Sequence, residues 1–447
     1  MERPRNIILL VADSLRYDSV HRGGDPRLPY TSGHAVDFTQ ARSGGCWTLP
    51  ATGSLFTGLM PHEHGADSQT RGLSPEVPTL AERMKARGFR THQITANIAT
   101  TEIFGLDRGF DEVFRVWKEV PAHYRKVHEV MILIGKPRLR KKILTPDFVQ
   151  GKLTEDLEAS KVWLQTTADD VFDTARKRLT TNERAGKPSF LFLNLMETHF
   201  PYHVADTFET TAEGVVGKMR EVYSLFHLIN QTWLTTGRQP IRDDMMQLIR
   251  ERQRTAWLLI AAKVDAFVKE MHQQGNLVVF CSDHGDNFGE QGWVYHFSNV
   301  TDAGNRVPLY WLDGTESPRT VDTPVSARDV FHALLTRIGD TDARFDLLRE
   351  PERSMPVMQS CWYNNQGKTL DKFRFNQICL LEGGTRWLRR RNEWLSSPPA
   401  NDEGVEAPFV RLAPGVDPVE EVVLPERRAE VRKILRDFHD YSERVEG

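Results

Sequence analysis

Leu277-Val278-Val279-Phe280-Cys281-Ser282-Asp283-His284-Gly285 decides how the chain is built. Five apolar residues in succession, with no polar alternation, suit a strand covered on both faces, as in a parallel sheet. A carboxylate and an imidazole then emerge side by side where that buried strand ends. A second apolar run, Ile7-Ile8-Leu9-Leu10-Val11-Ala12, ends the same way in Asp13. Open α/β sheets gather ligands beyond the carboxyl ends of their strands. Two strand ends carrying hard and borderline donors therefore predict a metal site at that edge.

The elements between these runs extend the pattern. Residues 80–87 read as a helix with Leu80, Ala81 and Met84 apolar and Gly88 placed to end it. Residues 91–96 and 189–196 read as strands, and residues 257–271 as a helix leading into the strand at 277–281. Strands alternating with amphipathic helices predict an α/β fold with a central, mostly parallel sheet flanked by helices. Residues 326–338 read as a further helix and residues 425–444 as a charged one. A chain of 447 residues is long for one core. The expected organisation is a large domain over 1–340, with helical insertions at 117–185 and 205–250, and a smaller C-terminal subdomain over 341–447.

Composition narrows the partners. Hydrophobic residues make up 39% and charged residues 27%, enough apolar surface for a packed core. With 58 basic and 61 acidic residues the net charge is −3, which offers no broad cationic field for nucleic acid or an anionic membrane. The cationic run Lys136-Pro137-Arg138-Leu139-Arg140-Lys141-Lys142 has no interleaved aromatic residue and reads as a solvated loop. No stretch approaches the roughly 18 to 20 apolar residues of a membrane span, and neither a signal peptide nor an anchor is expected. A cytoplasmic protein with a small anionic substrate is expected; the sequence does not speak to oligomeric state. Cys46, Cys281, Cys361 and Cys379 are widely spaced, follow no C-x-x-C pattern and read as reduced thiols.

Five segments carry the functional signal: residues 6–18, residues 45–65, Glu197-Thr198-His199-Phe200-Pro201-Tyr202, residues 282–309, and Val321-Asp322-Thr323-Pro324-Val325-Ser326. In this order they resemble the sulfatase-like branch of the alkaline phosphatase superfamily across most of residues 5–340. The resemblance implies a metal at the C-terminal edge of the sheet and a nucleophile coordinated to it. It implies cleavage of a phosphoester or phosphodiester, a phosphonate or a sulfate ester through a covalent intermediate.

Aligning on Pro50 and Leu55-Phe56-Thr57-Gly58 places Thr48 at the nucleophile position, with Ala51 and Thr52 where sulfatases have serine and arginine. Threonine cannot be converted to formylglycine. Threonine nucleophiles do occur in relatives that cleave or transfer phosphodiesters and phosphonates. Beside a divalent cation a hydroxyl is favoured as its alkoxide, the form that attacks phosphorus or sulfur. The implied ligands are Asp13, Thr48, Asp283 and His284. Their mixed oxygen and nitrogen donors suit Mn²⁺ or Zn²⁺ better than Ca²⁺ or Mg²⁺. Around His199 there are Glu197 and His203 but no Asp-x-x-x-His, so a single metal ion is expected. His199 and His296 are implied to touch the transferred group or protonate the leaving oxygen, a task suited to imidazole near neutral pH. Asn97, at the end of the strand at 91–96, is placed to reach the substrate.

Other readings of these residues stay open. Asp13 could cap a following helix. Cys46 rivals Thr48 as a nucleophile, but three residues separate it from Pro50 where the family has one, so it reads as a packed thiol. His62, His64 and Arg306 read as structural, and Trp47 as a pocket wall or a packing residue. Hydrolysis, group transfer to an acceptor alcohol, and a non-catalytic anion binder all remain compatible with the motifs.

Overall fold

The runs at residues 7 and 277 lie side by side in one sheet. The computed structural model describes residues 4–21, 27–116, 167–200, 202, 243–296, 299–360, 376–390, 393–413 and 415–446. Eight strands form the central sheet: β1 (Asn6–Ala12), β2 (Val36–Phe38), β3 (Arg90–Thr95), β4 (Glu112–Arg115), β5 (Ser189–Leu195), β6 (Leu277–Cys281), β7 (Leu309–Leu312) and β8 (Arg319–Val321). Their order is β8-β2-β7-β6-β1-β5-β3-β4. Every pairing is parallel except those of β7, which runs antiparallel to β6 and β2.

The unbroken apolar runs follow from burial on both faces. Ile7, Leu9, Val11, Val279 and Cys281 point into one core with Phe190 and Phe192. Ile8, Leu10, Ala12, Val278 and Phe280 point into the other with Leu191 and Leu193. Successive side chains of a strand point to opposite faces, so a strand between two cores is apolar along most of its length. The first core is closed by α1 (Thr48–Thr57), α2 (Leu80–Ala86) and α5 (Val330–Arg337), and the second by α3 (Ala168–Arg184) and α4 (Asp243–Gln273).

Several boundaries depart from the sequence reading. Residues 168–184, expected inside an insertion, are a core helix. Val171, Phe172, Ala175 and Leu179 share its buried face, and the spacing that builds this face was present in the sequence. Residues 117–166 of that insertion lie outside the described residues. Of the stretch at 205–250, residues 243–250 are the opening of α4, which starts well before residue 257; residues 203–242 lie outside the described residues. β3 begins one residue earlier than expected, and a short 3-10 turn at Ala327–Asp329 precedes α5. β2 and β7 escaped notice because three- and four-residue strands carry too little period to read.

Beyond residue 350 a separate antiparallel sheet forms from Val357–Ser360, Gln377–Glu382, Thr385–Arg390, Glu393–Ser397 and Val410–Arg411, each strand beside its sequence neighbour. Helix α6 (Pro425–Glu446) packs on it through Val431, Leu435 and Phe438, in a cluster that also takes in Met60. A buried ionic chain ties this sheet to the segment that follows β2: Arg386 Nη1 donates to Glu406 Oε2 at 2.9 Å, Arg386 Nε lies 3.9 Å from Asp302 Oδ2, and Arg42 Nε donates to Asp302 Oδ1 at 2.7 Å. Among the described residues no helix is long and apolar enough to cross a membrane.

Candidate active site

Parallel register sets the strand ends level. Val11 partners Cys281 on one side and Asn194 on the other, and Asn194 partners Thr95. Asp13, Asp283 and Asn97 follow within two residues of their strands and so reach the same sheet edge. Thr48 arrives from the other direction, as the first residue of α1, after Trp47 in extended backbone. The hydroxyl Oγ1 of Thr48 lies 3.3 Å from His284 Nε2 and 3.5 Å from Asp13 Oδ2. Asn97 Nδ2 donates to Asp13 Oδ2 at 2.6 Å and stands 3.5 Å from Thr48 Oγ1. Thr48 opens α1, whose N-terminus is the positive end of the helix dipole and favours an anion.

Local backbone fixes these side chains. Ser14 adopts a left-handed conformation at φ 60°, and its N–H reaches Asp283 Oδ1 at 3.2 Å, so one ligand strand holds the carboxylate of the other. The His284 N–H donates to the same oxygen at 2.9 Å, and Ser282 Oγ sits 2.7 Å from the Ala12 carbonyl across the strands. Gly285 is required: a Cβ there would lie 2.2 Å from the Ala303 carbonyl oxygen. Asp13 does not cap a helix; its carboxylate faces Thr48, Asn97 and Ser14.

The donors fit a divalent cation. Asp13, Asp283 and His284 each offer an atom within 4.8 Å of the others, and all three are buried. Asp283 Oδ2 has no hydrogen-bond partner. Orphaning a buried carboxylate oxygen is costly unless something cationic meets it. Burial, reinforced by the Asp13 charge, pushes the Asp283 carboxyl up to about 7. Burial opposes a charge on His284, but Asp283 and Asp13 outweigh it and raise the imidazole. Two carboxylates and one imidazole around an unsatisfied oxygen form a donor set suited to a divalent cation.

A second set of groups stands beside the first. The rings of His199 and His296 are 5.3 Å apart, and His296 is 4.8 Å from His284. His296 Nδ1 lies 2.6 Å from Asp286 Oδ1, while Asp286 Oδ2 accepts from the Tyr202 hydroxyl at 2.8 Å. Burial lowers the His296 pKa, with Asp286 opposing. The Asp286 carboxyl is held below its usual range because His296, His199 and His284 outweigh its burial. His284, Asp286 and His296 also come within reach of one another. The short Asp286–His296 contact marks that pair as hydrogen-bonded.

A model of the sulfatase family matches residues 5–339. The chain belongs to the sulfatase family. Its structure is similar to the phosphonate monoester hydrolase of Silicibacter pomeroyi, at 17% identity and TM-score 0.57, over 98% of this chain and 95% of that one. It is also similar to a putative sulfatase from Bacteroides thetaiotaomicron, at 15% identity and TM-score 0.58, over 99% and 93%. A third likeness, at 13% identity and TM-score 0.58 over 99% and 97%, is to the protein BT4656, solved with its substrate D-glucosamine-2-N, 6-O-disulfate. At these identities the likeness is one of fold, an α/β architecture. Comparison with curated proteins finds no significant match.

Within this sulfatase-family hydrolase, His64, Arg306 and Glu197 are engaged by the surrounding fold. His64 is fully buried: Nδ1 accepts from the Ala66 N–H at 3.0 Å and Nε2 meets Ser54 Oγ of α1 at 3.1 Å. Burial pushes this imidazole down to about 3. A histidine neutral in the fold protonates first in the unfolded chain, so its contribution is intact above about pH 6.5 and is lost as pH falls towards 3. Urea midpoints of the wild type and His64→Gln should therefore converge below pH 6.5, by up to about 1.4 kcal/mol per pH unit. Parallel curves would show that His64 is already charged in the fold. Arg306 pairs with Asp402 at 2.8 Å and lies over Tyr17, while Cys46 is buried and not in a disulfide. Glu197 accepts the Thr167 and Ala168 N–H groups at the start of α3.

Sequence reasoning missed Asp286, Tyr202, Ser14 and Asn194, whose Nδ2 lies 3.4 Å from Asp13 Oδ2. For Asn194 a signal existed: it is the lone polar residue inside the run Phe190-Leu191-Phe192-Leu193-Asn194-Leu195. Asp286 lies in the same short motif as Asp283 and His284. Only coordinates show which histidine it meets.

Proposed function

We propose that the protein hydrolyses a phosphodiester or phosphonate ester, in preference to a sulfate ester, with Thr48 as nucleophile. The observation that carries this reading is the approach of the Thr48 hydroxyl to Asp13 and His284 beside the orphaned oxygen of Asp283. Phosphorus is favoured over sulfur because a threonine stands where the formylglycine precursor of a sulfatase is expected, and because an Asp-His pair replaces Asp-Asn.

Asp13, Thr48, Asp283 and His284 would hold one divalent cation, Mn²⁺ or Zn²⁺ by their donor chemistry. When bound, it supplies positive charge that favours ionisation of the hydroxyl and offsets charge on the transferred group. The chain's own groups do the rest. Asn97 steadies the Asp13 carboxylate and presents its amide towards Thr48, where it can also donate to a substrate oxygen. The N-terminus of α1 faces the anion. Thr48 Oγ1 bonds to phosphorus as the leaving oxygen departs, and water then releases the enzyme ester. His199 and His296 move the protons of these two steps, work typically worth about a hundredfold or more in rate.

Turnover of an aryl phosphodiester, a phosphonate monoester and an aryl sulfate with Mn²⁺ or Zn²⁺ tests the proposal. Phosphodiester or phosphonate cleavage should dominate, with an adduct on the Thr48 peptide in quenched reactions. Faster sulfate cleavage would reverse the preference, and inertness to all three would overturn the enzymatic reading. An added acceptor alcohol that diverts the product would identify a transferase.

A further inference from the structure

We propose that Asp286 and Tyr202 are positioning residues that fix the His296 imidazole with its hydrogen on Nδ1, leaving Nε2 to accept the proton of the water that releases the Thr48 ester. This rests on the covalent mechanism proposed above and adds to it the residues that set one tautomer.

Asp286 is fully buried, and both of its carboxylate oxygens are engaged: Oδ1 by His296 Nδ1 at 2.6 Å and Oδ2 by the Tyr202 hydroxyl at 2.8 Å. An ionised carboxylate can only accept, so the hydrogen of that short contact belongs to Nδ1, and the lone pair of the neutral ring is on Nε2. Tyr202 is itself locked. It is buried, sits in the left-handed region at φ 57°, and its N–H bonds to the carbonyl of His199. Tyr295, directly before His296, is left-handed as well, at φ 58°. Non-glycine residues in this region each cost about 1 to 3 kcal/mol and persist where the surroundings over-determine them. From the opposite side, Arg16 Nη1 donates to the Asp286 carbonyl at 2.8 Å and to Glu290 at 2.7 Å, pinning the loop that carries Asp286. The ring so held stands 4.8 Å from His284, whose Nε2 is next to Thr48 Oγ1.

In the step this serves, an O–H bond of water breaks as its oxygen bonds to phosphorus. His296 Nε2 takes the proton, and the bond from phosphorus to Thr48 Oγ1 breaks. An asparagine at 286 keeps the shape but can offer an N–H to Nδ1, which moves the ring hydrogen to Nε2 and removes the base. Losing the correct tautomer of an acid-bound histidine can cost several orders of magnitude.

The test has a kinetic and a spectroscopic arm. With a good aryl leaving group, Asp286→Asn should lower kcat by about a hundredfold or more and KM in proportion. kcat/KM is then retained, and a Thr48 adduct accumulates. Tyr202→Phe should show the same pattern to a smaller degree. In wild-type protein labelled with ¹⁵N-histidine, the His296 signals should report hydrogen on Nδ1, a reading that does not depend on any variant folding. Hydrogen on Nε2, or an equal fall of kcat and kcat/KM in Asp286→Asn without adduct, overturns the inference. Absence of an adduct and full activity in Thr48→Ala would instead bring down the covalent mechanism itself.

Discussion

Thr48→Ala is expected to lower turnover by at least about a thousandfold, the scale on which removing a covalent nucleophile acts. The loss should come without collapse of the fold. Thr48 occupies the first helical position of α1, where alanine is acceptable backbone chemistry, and its hydroxyl contacts at 3.3 Å and 3.5 Å are long ones. Removing it costs stability on the ordinary scale of point mutants, about 1 kcal/mol. Two companions separate shape from chemistry. Thr48→Val keeps the branched outline without oxygen and should be as inactive as alanine, while Thr48→Ser keeps the oxygen with freer rotation and should retain measurable turnover. Activity of Thr48→Val within tenfold of wild type would remove threonine from the mechanism.

Asp283→Asn should abolish metal binding and activity together. Outer partners of metal ligands already cost about 10- to 100-fold in affinity, so a direct ligand should cost at least about a hundredfold. The variant keeps an oxygen to accept from the Ser14 and His284 N–H groups but loses the charge at Oδ2. Thermal unfolding gives a reading independent of turnover. Added Mn²⁺ or Zn²⁺ at about a hundred times its dissociation constant should stabilise the wild type by about 2.7 kcal/mol, and the variant should not respond. The metal-free proteins should differ in the opposite sense. With its folded pKa raised to about 7, the Asp283 carboxyl binds its proton more tightly in the fold than in the unfolded chain. It therefore penalises the metal-free fold increasingly as pH rises from about 4 towards 7. Wild type minus variant should thus worsen over that interval in chelator and reverse once metal is added. An unchanged metal response in Asp283→Asn would remove the carboxylate from the donor set.

Much of the sheet was legible because burial on both faces writes itself as an unbroken apolar run, as in β1 and β6. The donors after those runs were legible for the same reason, since a strand end is where a polar residue can first appear. β2 and β7 are too short to show a period, and β7 takes its place through pairing with β6 from a distant part of the chain. The helix at 168–184 was misread as part of an insertion although its apolar face was visible, because a face shows that a helix packs and not what it packs on.

The amino-acid order alone determined the α/β class, the family, and the residue types of the site: two carboxylates and an imidazole after the strands, and a hydroxyl from the segment before Pro50. Tertiary structure decided which of them meet. Register levels the ends of β6, β1, β5 and β3, and the left-handed turn at Ser14 swings one strand's N–H onto the other's carboxylate. The pairing of Asp286 with Tyr202 and His296 was likewise invisible in one dimension. Local sequence sets what a segment is, but contacts between side chains from distant segments depend on how the segments pack, and packing energy belongs to the whole chain.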